Sequence, residues 1–255
     1  MENPSAIKNL LDQKYLHYNS PLFIPSDPIS IPHRYTSKHD RESAAFLAAT
    51  IAWGQRKTIV TNAGKLMEGM DNAPFDFIVN FRESDLRPFE GFVHRTFNFS
   101  DLTVFLFALK NIYQEYGGME TIFEQGLKKG DMGAAINYFR EVFFSIPHLS
   151  RTRKHVSNPL AGASAKRINM FLRWMVRNDD KGVDFGIWKN IKTSDLVCPL
   201  DIHSGNVARK LGLLSRKQND WKAALELTSA LRQFDPADPV KYDFALFGMG
   251  VFEKY

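Results

Sequence analysis

The sequence is poor in cysteine and contains no long apolar segment. Its one cysteine, Cys198, excludes an internal disulfide and any four-cysteine zinc or iron–sulfur site built from this chain. The start, Met1-Glu2-Asn3-Pro4, lacks the basic and apolar regions of a signal peptide, and the apolar run 105–109 ends at Lys110. We therefore expect a soluble, cytoplasmic protein with no membrane partner and no iron–sulfur cluster.

Length and charge favour a globular protein with an anionic partner. The chain has 255 residues and is 44% hydrophobic, which suffices for one large domain or two small subdomains sharing a core. It carries 33 Lys and Arg against 28 Asp and Glu, a net charge of +5. This excess suits nucleic acid, although many ordinary proteins are mildly basic.

Apolar spacing is helical along almost the whole chain and predicts an all-α protein. Asn3 or Ser5 is a suitable cap for a first helix, and Asp40 for the helix that ends at Trp53-Gly54. The prolines at 21, 25, 28 and 32 predict an extended connection between these two helices. The segment 89–99 fits either a small strand pair or a loop. Further helices are predicted near 59–67, 75–81, 102–116, 122–127, 134–144, 221–231 and 239–247.

A glycine turn followed by a lysine opens one helix. Gly162 tolerates the angles of a tight turn, and Ser164 is suited to cap the helix that follows. Exposed amides at such a helix start can bind an anion such as a DNA phosphate. Within the helix, Lys166, Asn169, Arg173 and Arg177 form one polar stripe. From spacing alone, an amphipathic helix whose charges face water is the favoured interpretation.

An aspartate opens another helix further along the chain. Asp201 follows Pro199-Leu200, and the apolar side chains of Val207, Ala208, Leu211 and Leu214 repeat at helical spacing after it. An aspartate at this position is most often an N-cap worth about 1 kcal/mol. The helix dipole also favours its charged form, as a carboxylate that faces a cation requires. The two roles are compatible.

Three motifs, in this order, resemble the helix-hairpin-helix DNA glycosylase superfamily, which includes endonuclease III and 8-oxoguanine glycosylases. The sequence Leu-Ala-Gly-Ala-Ser-Ala-Lys at 160–166 resembles the superfamily's Leu-Pro-Gly-Val-Gly-x-Lys hairpin. Leu-Asp-Ile-His at 200–203 resembles its Val-Asp-x-His motif, and the apolar helix 46–52 before Trp53-Gly54-Gln55 resembles its polar turn with glutamine. The resemblance covers residues 40–255. The whole chain resembles an uncharacterised bacterial family of similar length more closely still.

The chain departs from the superfamily at two places. Ala161 and Ser164 stand where the hairpin has proline and a second glycine. Asp201 lies 35 positions after Lys166, a longer gap than the superfamily's usual one. The segment 178–196 is therefore expected to be an insertion, a loop with a short helix near 185–188.

The resemblance implies both an architecture and an activity. The architecture is one glycosylase-like unit, 1–255, with a helix-hairpin-helix element and a central cleft. Residues 40–200 are expected to form the helical subdomain with the hairpin, and 1–39 plus 201–255 the second. The implied activity is base excision from damaged double-stranded DNA by a monomer that needs no metal or cofactor.

Residue roles follow from the same resemblance. Lys166 is expected to attack the anomeric carbon of the sugar and form a Schiff base, with lyase activity, while Asp201 takes its proton or stabilises positive charge. A flipped base is required. Gln55 matches the position that fills the vacated stack in some members, although a polar turn residue is an equally good interpretation. The expected DNA-binding residues are Gln55, Arg56, Lys57, Gly162, Ser164, His203 and Arg209.

Two other interpretations remain open from the sequence. The altered hairpin is compatible with a nucleic-acid-binding protein that has this fold but no catalytic activity. Alternatively, the chain is an unrelated helical enzyme or interaction protein in which the motifs coincide by chance. The distance between the Lys166 ammonium and the Asp201 carboxylate discriminates best, because only the glycosylase interpretation requires the two groups to meet.

Overall fold

The structure is a computed structural model that describes residues 3–255, and most of this range is helical. The only sheet in that range is an antiparallel pair, β1 (Val93–His94) and β2 (Phe97–Asn98). The α-helices are α1 Pro4–Tyr18, α2 Lys38–Thr50, α3 Arg56–Gly69, α4 Pro74–Asn80, α5 Phe99–Glu115, α6 Met119–Leu127, α7 Met132–Phe143, α8 Lys166–Val176, α9 Ile202–Lys210, α10 Trp221–Arg232 and α11 Asp243–Phe252. The predicted all-α class is confirmed. None of the helices in residues 3–255 combines the length and apolarity needed to span a bilayer.

The chain divides into two compact units. The first, unit 1, contains the described part of Met1–Phe23 together with Asn158–Tyr255, and unit 2 contains Ile24–Ser157. These bounds differ from the predicted 40 and 200, because the 158–165 turn and α8 belong to the same unit as α1 and the C-terminal helices. Arg177, just after α8, donates a hydrogen bond to the Tyr15 hydroxyl of α1 at 2.7 Å. The end of α8 is therefore attached directly to α1.

Unit 2 is built around a cluster of phenylalanine rings. Phe46 of α2 lies 6.0 Å from Phe105 of α5 and 5.5 Å from Phe139 of α7, measured between ring centroids. Phe143 closes the cluster at 4.7 Å from Phe105. All four side chains are buried. Stacked and edge-on aromatic contacts of this kind stabilise a core beyond the area they bury.

Unit 1 is organised around the last helix. α11 packs against both α1 and α9. Its apolar residues Phe244, Leu246 and Met249 are buried together with Leu11 of α1 and Val207 of α9. The sequence spacing of these residues is helical, so the hydrophobic effect and helix formation favour the same arrangement.

Four local predictions differ from the structure. α2 is capped by Ser37, whose hydroxyl accepts from the backbone of Asp40; Asp40 instead accepts from the Phe75 amide at 3.0 Å and so holds the start of α4. The proline-rich connection forms short 3-10 helices rather than extended chain, because each begins with a proline whose missing N–H is not needed there. They are Pro21–Ser26, Pro28–Ser30 and Pro32–Arg34.

The other two differences lie in unit 1. Ala165, not Ser164, holds the cap position of α8, at φ +53°, and no side chain caps that helix. The 178–196 segment is a loop, as expected, but residues 185–188 are not helical; its short 3-10 helix is Thr193–Asp195. The segment 89–99, for which two alternatives were open, contains the β1–β2 pair.

Candidate lysine–aspartate site

The turn before α8 is fixed by hydrogen bonds at both of its ends. The Asn158 side chain accepts from the Leu160 and Ala161 amides at 3.0 and 3.3 Å. Gly162 follows at φ +90°, a conformation that glycine adopts without strain. The Gly162 carbonyl accepts from the Trp221 amide at the start of α10, at 3.0 Å. The turn is therefore attached to a second helix before the chain enters α8.

The structure brings Lys166 and Asp201 together. Lys166 is the first residue of α8, and its Nζ lies 3.6 Å from the Asp201 Oδ2. The side chains are 26% and 23% exposed, so a substrate can reach both. The Phe247 ring of α11 lies nearby, with its centroid 5.9 Å from Nζ. An amine, a carboxylate and an aromatic face thus converge at one partly open place.

The two oxygens of Asp201 serve different purposes. Oδ1 caps α9, because it accepts from the His203 and Ser204 amides at 2.8 and 3.0 Å. Oδ2 faces Lys166 instead. The cap fixes the carboxylate plane, and the predicted roles of cap and cationic partner coexist in one side chain.

Arg209 contributes to this site indirectly. Its guanidinium donates to the backbone carbonyls of Arg216 and Lys217 at 2.9 Å each, and to the Asn219 Oδ1. The Asn219 amide in turn donates to the Asp201 carbonyl at 3.1 Å. The Arg209 side chain therefore holds the 215–220 loop against the start of α9. Its phosphate-binding role stays a prediction.

Beyond Lys166, the polar stripe of α8 is buried, contrary to the favoured interpretation of charges in water. Arg173 is 4% exposed and Arg177 is 1% exposed. Arg173 donates to Asp184 at 3.3 Å and also to Asp243. Arg177 lies 3.2 Å from Asp184. Buried guanidinium groups need such carboxylate partners, and these come from segments outside α8.

Four carboxylates surround these two guanidinium groups. Besides Asp184 and Asp243, which are described above, Arg177 contacts Asp179 at 2.7 Å and Asp238 at 2.9 Å. Burial alone would lower the pKa of Arg177, but Asp184 and Asp238 outweigh burial and raise it. With all groups ionised, this buried cluster carries more negative than positive charge. Such an excess favours positive charge on neighbouring atoms.

Asp243 links the buried cluster to Lys166. Burial raises the pKa of its carboxyl to about 6, against the opposing charges of Arg173 and Lys166 and with a contribution from Asp201. Phe247, whose ring lies beside Lys166, is one helical turn after Asp243 on α11. The site therefore contains a second carboxyl group, that of Asp243, whose pKa of about 6 lies close to neutral pH.

The remaining predicted DNA-binding residues lie in both units. Gln55 is exposed at the cap of α3, where its side chain makes no capping hydrogen bond. Lys57 is also exposed, and Arg56 is partly buried. In unit 1, His203 is exposed on the first turn of α9, and Ser164 is partly buried, with its carbonyl accepting from Asn169. Their roles in binding DNA remain predictions.

Sequence reasoning missed Asp243 and Phe247. Both residues lie in the helix predicted at 239–247, four positions apart. The apolar residues around them indicated a buried core helix rather than part of a functional site. The aromatic side chains of Trp174, Trp188 and Phe244 are fully buried in unit 1 and belong to its core, so they are not accessible for stacking on a flipped base. Among residues 3–255, no three His, Cys, Asp or Glu side chains are grouped to hold a metal ion.

These observations define an all-α protein with a partly open lysine–aspartate pair supported by a buried ionic cluster. The chain belongs to a protein family of unknown function, DUF2400, whose model matches residues 27–252. Comparison with curated proteins and with solved structures finds no significant match.

Proposed function

We propose that this protein is a DNA base-excision glycosylase with associated lyase activity. The observation that carries the proposal is the 3.6 Å separation of the Lys166 Nζ and the Asp201 Oδ2 at the starts of two helices. The proposal includes the helix-hairpin-helix element, formed by the 158–165 turn and α8, and the glycosylase-like cleft. Damaged double-stranded DNA is the substrate class that the sequence motifs favour.

In this reaction Lys166 acts as the nucleophile. Its ammonium first gives a proton to Asp201, because only the neutral amine attacks carbon. Nζ then bonds to the anomeric carbon of the sugar while the glycosidic C–N bond breaks, and the bond electrons leave with the base, which takes up a proton. Opening of the sugar ring gives the Schiff base. A hydride donor reduces this species to a stable amine.

The buried ionic cluster supports this chemistry electrostatically. The oxocarbenium-like transition state and the protonated Schiff base are both cationic. The cluster of Arg173, Arg177 and their four aspartates contains an excess of carboxylates. One of these carboxylates, Asp243, also interacts electrostatically with Lys166. Preorganised negative charge of this kind stabilises developing positive charge without rearrangement.

Borohydride trapping tests the proposal. The protein is incubated with duplexes that carry abasic sites or damaged bases, and the covalent adduct is measured by gel shift. We expect an adduct with the wild type and none with Lys166→Gln. Lys8→Gln, which removes a partly exposed cation from α1 of the same unit, is the matched control and should trap normally. No base release and no adduct from any substrate, or unchanged trapping by Lys166→Gln, would refute the enzyme proposal.

Two substitutions of Asp201 separate its roles. Asparagine retains an oxygen that caps α9 but cannot accept the lysine proton, so Asp201→Asn should slow trapping roughly 100-fold or more with little change in unfolding free energy. Asp201→Ala loses the cap as well and should be about 1 kcal/mol less stable. Equal trapping rates for wild type and Asp201→Asn would limit Asp201 to a structural role.

A non-catalytic nucleic-acid-binding protein is the second candidate. It is favoured by the hairpin, where Ala165 occupies the left-handed region at φ +53° and no side chain caps α8. This candidate predicts salt-dependent DNA binding that survives Lys166→Gln, together with an absence of trapping. A wild-type protein that binds no nucleic acid even at low salt would exclude it.

A further inference from the structure

Two guanidinium groups share one aromatic ring in unit 2. The Cζ of Arg140, on α7, lies 5.6 Å from the centroid of the Phe144 ring, and the Cζ of Arg153 lies 5.2 Å from it. The His148 ring is 4.9 Å from the same centroid. Arg153 belongs to the 3-10 helix Ser150–His155. We call these four residues the guanidinium cluster.

The positive charges of this cluster are not neutralised by protein carboxylates. Arg140 is only 7% exposed, and in the described part of the chain its side chain makes a single hydrogen bond, from Nη1 to the Arg153 carbonyl at 3.2 Å. Burial lowers the pKa of Arg140, and the charge of Arg153 lowers it further. Within residues 3–255, neither guanidinium makes an ion pair with a carboxylate.

Other arginines of the same molecule show the usual arrangement. Arg151, two residues before Arg153, pairs with the buried Asp101 at 2.8 Å. The buried Arg173 and Arg177 each contact at least two aspartates. A buried cation beside a second cation is unfavourable without an anion, and a bound anion would remove that repulsion.

Most N–H donors of the two guanidinium groups make no hydrogen bond within residues 3–255. The His148 ring accepts from only one of them. Its Nδ1 lies 2.7 Å from the Ile146 carbonyl, which only accepts, so Nδ1 carries a proton. In the neutral ring Nε2 then accepts from the Arg153 Nη1, at 3.4 Å. Each guanidinium has five N–H donors, and among the described residues one donor of each is used in a hydrogen bond. The Phe144 face orients both planar groups.

We propose that the guanidinium cluster binds a phosphate group. Two forked donors can hold a tetrahedral oxyanion through several of its oxygens at once, an arrangement that matches phosphate. The group has two possible sources, a free phosphate compound or the phosphodiester backbone of a nucleic acid. The inference concerns unit 2 alone and is independent of the chemistry proposed for Lys166.

Titration of the full-length protein with inorganic phosphate tests the site directly. Arginine side-chain NMR signals report binding, and we expect saturable shifts for Arg140 and Arg153. Arg153→Gln, at an exposed position, and Arg140→Lys, which keeps the charge but loses the fork, should each weaken phosphate binding at least tenfold. Lys128→Gln removes an exposed cation elsewhere in unit 2 and should bind as the wild type does. An absence of saturable shifts, or unchanged binding by Arg153→Gln, overturns the proposal.

A second arm identifies the source of the phosphate. If it is a nucleic acid, Arg153→Gln weakens duplex DNA binding and reduces the slope of log K against log salt by about 0.9 for each DNA phosphate that the variant no longer neutralises. If it is a free phosphate compound, the variant loses phosphate and mononucleotide binding while DNA binding is unchanged. Lys166→Gln should leave the phosphate titration unaltered, so failure of the glycosylase proposal is distinguished from failure of this one.

Discussion

The Asp243 carboxyl group is buried beside Arg173 and influenced by Lys166, and its pKa is raised to about 6. Its ordinary pKa is 3.8. Between these two values the folded protein binds more protons at this position than the unfolded chain does. The contribution of Asp243 to stability is therefore fully present below about pH 4 and declines as the pH rises through 6.

Asp243→Asn removes this titration without changing the size of the side chain. We expect the unfolding free energy of the wild type, relative to that of the variant, to fall by roughly 2 kcal/mol between pH 4 and 6.5. One pKa unit corresponds to about 1.4 kcal/mol, and the decline is incomplete at both ends of this range. Urea unfolding of both proteins at several pH values measures the difference. Carboxylates common to both proteins contribute equally. A difference that stays constant over this range would contradict the assignment.

At the scale of single helices, close packing limits the side chains that fit. A Cβ atom added to Gly126 of α6 would lie 2.6 Å from the Cα of Ala135 in α7. The obstacle is backbone and cannot rotate away. By contrast, a Cβ on Gly64 of α3 would meet only Arg34 side-chain nitrogens at 3.6 Å, an ordinary van der Waals distance.

Alanine substitutions at these two glycines should have opposite effects. Gly126→Ala forces α6 and α7 apart and is expected to cost about 1 to 3 kcal/mol, which exceeds the gain of roughly 1 kcal/mol from helix propensity. Gly64→Ala has the same gain in helix propensity without a steric clash, so it should stabilise the protein. Thermal unfolding of both variants checks the pair. Stabilisation by Gly126→Ala would show that the two helices approach each other less closely.

Helical periodicity predicts most elements of the fold. It does not predict which residues surround α8. The helices α5, α6 and α10 follow directly from apolar spacing. The stripe through Arg173 and Arg177 is indistinguishable in sequence from a solvated face, because its partners Asp184 and Asp243 come from other segments. For the same reason motif order predicted the meeting of Lys166 with Asp201 but gave no indication of Asp243.

At the scale of the whole molecule, unit 1 depends on both ends of the chain. α1 buries Ile7 and Leu11, and the Tyr15 hydroxyl lies between Arg177 and Asp179, accepting from Arg177 at 2.7 Å and 3.1 Å from the Asp179 Oδ2. Each buried aliphatic side chain contributes about 1.5 to 3 kcal/mol. Together with the polar contacts, this is comparable to the total stability of a typical domain.

Deletion of residues 1–23 should therefore unfold unit 1 although the segment is remote in sequence from Lys166. In limited proteolysis we expect early cleavage within 158–255 and persistence of a fragment containing 24–157. Tyr15→Phe keeps α1 and loses only the hydroxyl, so it should cost about 1 to 2 kcal/mol and retain a protected unit 1. Equal protection of 158–255 in the deletion variant and the wild type would contradict this dependence.

The discontinuity of unit 1 also determines the order in which the protein is assembled during synthesis. Unit 2 is a single continuous segment, so it can fold as soon as Ser157 has been made. α1 is synthesised before unit 2, yet its partner α11 is synthesised after it. At about 5 to 20 residues per second, the apolar face of α1 waits on the order of ten to fifty seconds for that partner. Until α11 has been made, the apolar face of α1 lacks this partner and the candidate site lacks Asp243 and Phe247.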